Sequence, residues 1–201
     1  TGAGKTTIVN LLSRFYEPTS GRILIDGHDI NNVKLYSLRS QVSVMMQDSF
    51  VFSGTIMDNI RYARPDATDE ECIKAAKAAS LHEYIMQYPE GYNHVLGEKG
   101  AGLSGGEIQL LSFARTILCD PKILVLDEAT SSVDTQTEIK IQQVLEKILK
   151  NRTSFIIAHR LSTIRKADCI LYIGNKGILE AGTHEELMAK KGAYYQLQTK
   201  N

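Results

Sequence analysis

Apolar residues fall into two kinds of run along this chain. Short runs rich in Val, Ile and Leu occupy residues 42–46, 123–126, 154–158 and 169–173, and each gives way to polar or turn residues, as buried strands do. Residues 22–26 read as one more strand. Between the strands the apolar spacing changes to that of helices. Over residues 5–15, Ile8, Leu11, Leu12 and Phe15 share one helical face, and Glu17-Pro18-Thr19-Ser20-Gly21 supplies the turn chemistry that ends it. Residues 55 to about 118 are mostly helical by pattern. Thr68 with Glu71 fits a capping box, Ala75-Ala76-Lys77-Ala78-Ala79 is strong helix former, and the glycine-rich stretch 97–102 precedes a helix over roughly 106–118. Strands alternating with helices predict an α/β fold. The expected form is a mostly parallel sheet flanked by helices, with a helical subdomain at about 55–118 inserted in it.

Polar groups collect where the strands end. Gln47 follows the 42–46 run, Asp127 and Glu128 follow 123–126, and His159 follows 154–158. Ligands of open α/β sheets bind at the carboxyl ends of strands, so this order places the four residues near one crevice. Each alone also suits a solvated strand end, a helix start or a satisfied boundary histidine.

Length and composition narrow the class without choosing the chemistry. At 201 residues the chain fits one well-cored domain, and 43% hydrophobic with 23% charged residues is an ordinary globular balance. Lys plus Arg equals Asp plus Glu at 23 each, which gives no electrostatic footprint for nucleic acid. Cys72, Cys119 and Cys169 lack the paired spacing of a metal site or a disulfide framework and read as reduced, intracellular thiols. No apolar stretch approaches the roughly 18 residues of a membrane span, so any membrane link is expected through a partner or another segment.

The chemistry begins at the first residue. Thr1-Gly2-Ala3-Gly4-Lys5-Thr6-Thr7 carries the second half of the G-x-x-x-x-G-K-[ST] pattern, whose first glycine would lie two residues before Thr1; the sequence is therefore expected to be a fragment. Glycines let backbone N–H groups turn inward on phosphate oxygens, Lys5 reaches the β and γ phosphates, and the Thr6 hydroxyl suits Mg²⁺. Standing alone, the segment also fits a glycine-rich turn before an amphipathic helix. A second cradle lies far away at Leu103-Ser104-Gly105-Gly106-Glu107, where serine and glycines open a helix. One nucleotide rarely needs two such loops from one chain, so this loop is expected to serve the nucleotide of another subunit. Its alternative is an N-cap by Ser104 beside flexible glycines.

Taken in order, the half P-loop, Gln47, Leu103 to Glu107, Ile123 to Glu128, Ser131-Ser132-Val133-Asp134 and His159 resemble the motifs of the ATP-binding cassette family. The resemblance covers essentially the whole chain, residues 1–201, and implies a P-loop NTPase core. It implies ATP and Mg²⁺ as ligands, with Thr1 to Thr7 on the nucleotide and with Thr6, Gln47 and Asp127 on the metal. Glu128 would be the base, His159 would steady the γ-phosphate, and Gln47 would contact the attacking water. Leu103 to Glu107 would meet the ATP of a second, head-to-tail cassette, either an identical or a different chain, and Asp134 would report across that interface. The segments 48–56, 158–163 and 180–187 are most similar to exporter-type cassettes. Such cassettes imply a membrane domain fused upstream, a place on the cytoplasmic side of the cell membrane, and hydrolysis coupled to export. Residues near Gln47 to Ile60 and Gly97 to Ala101 would then meet the membrane domain's cytoplasmic helices. Two departures stand out: Glu107 replaces the usual glutamine, and the aromatic residue that stacks on adenine falls upstream of Thr1.

Overall fold

The computed structural model describes residues 4–46, 50–127, 134–157, 161–174 and 177–199, and of Lys5, Lys99, Leu161 and Ser162 the backbone alone. Two compact units emerge: Thr1–Leu35 with Ile156–Asn201, and Tyr36–Phe155. The first unit starts with helix α1 (Lys5–Leu12) and a small antiparallel pair, β1 (Leu24–Ile25) and β2 (His28–Asp29). The expected helix over 5–15 stops early. Arg14 takes a left-handed φ of 51°, and the N–H groups of Arg14 and Phe15 return to the carbonyls of Leu11 and Asn10, a Schellman closure. The Arg14 guanidinium holds that turn by donating to the Ile30 and Val33 carbonyls at 3.3 and 3.1 Å. Phe15 is consequently exposed rather than on the helix's apolar face. The expected strand at 22–26 shortens to two residues because Asp26 and Gly27, both at positive φ, turn the chain directly into β2.

The second unit holds the larger sheet and most helices. In chain order the elements are α2 (Leu35–Gln41), whose first residue falls in the first unit, β3 (Val42–Met45), β4 (Gly54–Thr55), α3 (Ile56–Arg61), α4 (Asp69–Ala78), α5 (His82–Ile85), β5 (Val95–Leu96), α6 (Gly105–Cys119), β6 (Ile123–Asp127), α7 (Thr135–Leu149) and β7 (Thr153–Ile157), whose last two residues fall in the first unit. Strand order is β3-β6-β7. β3 and β6 are parallel, in a register that sets Val42 against Ile123 and Met45 against Leu126. All four residues Ile123 to Leu126 are buried, which is why this strand reads as an unbroken apolar run. Long helices join the strands: α6 lies between β3 and β6 in sequence, and α7 between β6 and β7, the crossover pattern of an α/β sheet.

Helices α3, α4 and α6 pack together around Ile56, Ile60, Ala75, Ala76, Leu110, Leu111 and Phe113, all buried. Capping boxes open all three: Thr55 with Asp58 on α3, Thr68 with Glu71 on α4 as the sequence predicts, and Ser104 with Glu107 on α6. Helix α7 presents Thr137, Ile141, Val144 and Ile148 as its buried face, a spacing of four, three and four residues. The first unit resumes with α8 (Leu161–Arg165), an antiparallel hairpin β8 (Ile170–Gly174) and β9 (Gly177–Gly182), then α9 (His184–Lys190) and α10 (Ala193–Thr199). Glu180 of β9 accepts the N–H groups of Ala193 and Tyr194, fixing the start of α10. Among the described residues no helix is long and apolar enough to cross a membrane.

Candidate functional site

In the first unit the candidate anion site is the start of α1. Gly4 is its N-cap with φ 101°, and among the described residues no side chain caps the helix. A Cβ at Gly4 would meet nothing within 4 Å, so glycine is needed here for its backbone conformation and not for room. The N–H groups of Lys5, Thr6 and Thr7 occupy the first turn, where a helix offers donors and a favourable dipole to an anion. Thr6 and Thr7 are exposed. Thr1, Gly2 and Ala3 lie outside the described residues, as does the Lys5 side chain.

Of the strand-end residues, Gln47, Asp127 and Glu128 belong to the second unit and His159 to the first. The register that pairs Met45 with Leu126 brings the carboxyl ends of β3 and β6 to one edge; Asp127 closes β6 there, half-buried. Gln47, Glu128 and His159 lie outside the described residues. The donors assigned to the metal are a threonine hydroxyl, a glutamine amide and a carboxylate, a hard oxygen set that fits Mg²⁺ and not a thiophilic ion. Among the described residues no cluster of three His, Cys, Asp or Glu side chains forms a metal site.

At the start of α6 the geometry resolves the reading of Ser104. Its Oγ accepts the Glu107 N–H at 3.3 Å, and the Glu107 carboxylate accepts the Ser104 N–H at 2.7 Å, a full capping box. Ser104 is therefore an N-cap. The box uses Oγ as an acceptor and satisfies two backbone donors; among the described residues the N–H groups of Gly105 and Gly106 and the Ser104 O–H have no acceptor. The cap thus leaves these three donors free of described partners. Glu107, the departure from the family pattern, sets a carboxylate beside these donors.

Two features around this loop carry no sequence signal. Tyr88 donates its hydroxyl to the Gly102 carbonyl at 2.6 Å, and its ring stacks on His94 with centroids 4.1 Å apart. His94 Nδ1 in turn meets the Glu90 carboxylate at 3.0 Å. Burial, and then the charge of Glu107, pushes the Tyr88 phenol up. Gly102, at φ 112°, immediately precedes Leu103, so Tyr88 fixes the turn that enters the second cradle. Farther along α6, Arg115 reaches back to the segment following Gln47. At the start of α7, Asp134 is the N-cap and accepts the Thr137 N–H at 3.0 Å. That bond, with the Thr137 hydroxyl second, holds its carboxyl below the usual value.

A glycine-capped helix start, a parallel sheet ending in an acidic residue and a second serine-glycine helix start define a P-loop type of nucleotide-binding fold. The chain belongs to the ABC transporter family, whose description matches residues 1–131. It is 55% identical over 194 residues to the uncharacterized ABC transporter ATP-binding protein YknV of Bacillus subtilis (strain 168), covering 96% of this chain and 32% of that protein. It is 51% identical over 196 residues to the ATP-dependent lipid A-core flippase of Syntrophus aciditrophicus (strain SB), covering 98% of this chain and 33% of the flippase. Among solved structures, a bacterial Atm1-family ABC exporter with ATP bound matches with a TM-score of 0.91 and 44% identity over 100% of this chain and 35% of that one. The chain thus spans about a third of the length of the relatives it matches. Family membership carries ATP binding with it.

Proposed function

We propose that this chain is the ATP-binding and ATP-hydrolysing cassette of an exporter, in which nucleotide-driven pairing of two cassettes and hydrolysis are coupled to moving a substrate across a membrane. The observation that carries this reading is the match, over the whole chain and at 44% identity, to an exporter solved with ATP bound. The open donors at the start of α1 supply the chemistry for the phosphates.

Within the chain, Gly2, Ala3, Gly4 and the N–H groups of Lys5 to Thr7 surround the phosphates, with Thr1 leading into the loop, and Lys5 adds its charge at the β and γ groups. Thr6, Asp127 and Gln47 hold Mg²⁺, which when bound neutralises phosphate charge. Glu128 takes the proton of the attacking water on its carboxylate, Gln47 orients that water, and His159 hydrogen-bonds a γ-phosphate oxygen. Ser104 O–H and the Gly105 and Gly106 N–H groups close over the ATP held by a second cassette, identical or different, arranged head to tail; Leu103 and Glu107 flank them. Asp134 lies at that interface.

The relatives' greater length supports a membrane domain in the same protein and a cytoplasmic position for the cassette at the cell membrane. The deciding experiment is ATP turnover of the full-length protein carrying Glu128→Gln. Loss of a positioned base removes on the order of 10²- to 10⁴-fold in rate, so turnover should fall close to background. Undiminished turnover in that variant would sink the assignment.

A further inference from the structure

We infer that Arg115 is a positioning residue that ties the segment following Gln47 to α6, the helix that begins at Ser104. This rests on the cassette reading for its catalytic consequence and on geometry for the tie itself. Arg115 sits eleven residues beyond Ser104, about 16 Å along the helix. Its Nη1 donates to the Phe50 carbonyl at 2.5 Å, its Nε to the Asn59 carbonyl at 2.6 Å, and its Nη2 to Asn59 Oδ1 at 2.9 Å. Asn59 is 1% exposed and completes the set: its Oδ1 also accepts the Phe52 N–H at 2.9 Å, and its Nδ2 donates to the Phe52 and Thr55 carbonyls at 2.9 and 3.0 Å. The rings of Phe52 and Tyr62 lie 5.7 and 5.9 Å from the guanidinium carbon, within cation–π range.

The choice of residue is informative. Among the described residues no carboxylate pairs with Arg115. Burial accordingly pushes its pKa down. A half-buried cation held by carbonyls and ring faces is an expensive way to fill space, since apolar replacements of buried charges are often neutral or stabilising. What arginine supplies and an apolar side chain cannot is a rigid fork that meets three acceptors in diverging directions. One tine reaches Phe50, three residues past Gln47. Upstream, the same loop leaves β3 at Met45, which is paired with Leu126 just before Asp127. The segment carrying Gln47 is thus anchored at one end to the strand that ends in Asp127 and at the other, through Arg115, to the helix that starts the second cradle. Displacement of α6 is passed through this fork to Phe50, three residues past Gln47 in sequence.

The test is Arg115→Lys in the full-length protein, with Arg115→Gln as a second variant should the first fail to fold. Lysine keeps the charge and loses the fork. Hydrogen exchange in nucleotide-free protein is followed in a peptide covering residues 47–53, with α4 as an internal reference; exchange in 47–53 should quicken by on the order of tenfold while α4 is unchanged. In steady state kcat should fall on the order of tenfold, the half-saturating Mg²⁺ concentration should rise several-fold, and KM for ATP should stay within about twofold, because small misplacements of an aligning group act on the chemical step. Unchanged exchange in 47–53 overturns the tie. Quickened exchange with unaltered kcat and Mg²⁺ requirement overturns the positioning role and leaves Arg115 a packing residue. Absence of hydrolysis in the wild type overturns the cassette reading and the catalytic consequence with it, while the exchange comparison still decides whether Arg115 holds the segment.

Discussion

Ser104 caps α6 through its Oγ, and its O–H is the group proposed to meet the γ-phosphate; substitution tests both. Ser104→Ala removes the acceptor for the Glu107 N–H and should lower stability by roughly 0.5–2 kcal/mol, the usual cost of losing an N-cap, as read from urea unfolding of the purified protein. It also removes the O–H assigned to the γ-phosphate, so turnover should fall. Ser104→Thr retains cap and hydroxyl and should restore stability; a threonine variant as unstable as the alanine one would refute the capping account. Tyr88 acts one step earlier in the loop. Tyr88→Phe keeps the ring stacked on His94 and deletes only the bond to the Gly102 carbonyl, so it should cost about 1 kcal/mol. KM for ATP should rise more than kcat falls, because the turn into Leu103 loosens while the catalytic groups remain; a change confined to kcat would contradict this.

Helix starts in the second unit make its stability depend on acid. The Thr55 hydroxyl, and then the Thr55 N–H, hold the Asp58 carboxyl below its usual value; the Thr68 N–H, and then Arg64, do the same for Glu71; and the Thr137 N–H does so for Asp134. These bonds favour the charged forms. Their contribution is therefore complete above the ordinary carboxylate values near pH 4 and is lost as pH falls through the lowered folded values. Circular dichroism during acid titration should show helix loss only below about pH 4, with Asp134→Asn shifting the α7 contribution; helix loss centred near pH 6 would exclude these carboxylates as the cause. The elements differ in how plainly the sequence announces them. β6 is legible because Ile123 to Leu126 are all buried, α4 because its capping box is local, and α6 to within a residue of each end. Helix α7 escaped although its buried positions keep helical spacing, and β9 escaped because its apolar run is only Ile178 and Leu179. The early end of α1 depends on Arg14 reaching carbonyls 16 and 19 residues away, and the Arg115 fork spans 56 and 65 residues. Local pattern holds no trace of such contacts. At the site, Gly4, Ser104, Asp127 and Asp134 were legible as residue types at element ends, whereas Tyr88 and Arg115 act through residues far along the chain.

At the scale of the whole molecule the proposed site is composite, with phosphate, metal and base groups from one cassette and Ser104 to Gly106 from another. A two-fold pair would hold two such sites, each taking complementary halves from both chains. Glu128→Gln and Ser104→Arg homodimers should both be inactive, for different reasons. In a mixed dimer of the two variants the defects fall on the same site: one chain's Gln at position 128 faces the other's Arg at position 104. The remaining site then combines wild-type Glu128 with wild-type Ser104. Co-expression with two affinity tags and tandem purification isolates that mixed dimer. Its turnover should reach up to roughly half that of the wild type, one intact site of two. If each chain instead supplied both halves of its own site, every site in the mixed dimer would carry one defect, and turnover would stay at the level of the parents. Recovery in the mixed dimer therefore separates a shared site from a self-contained one without requiring any knowledge of the transported substrate.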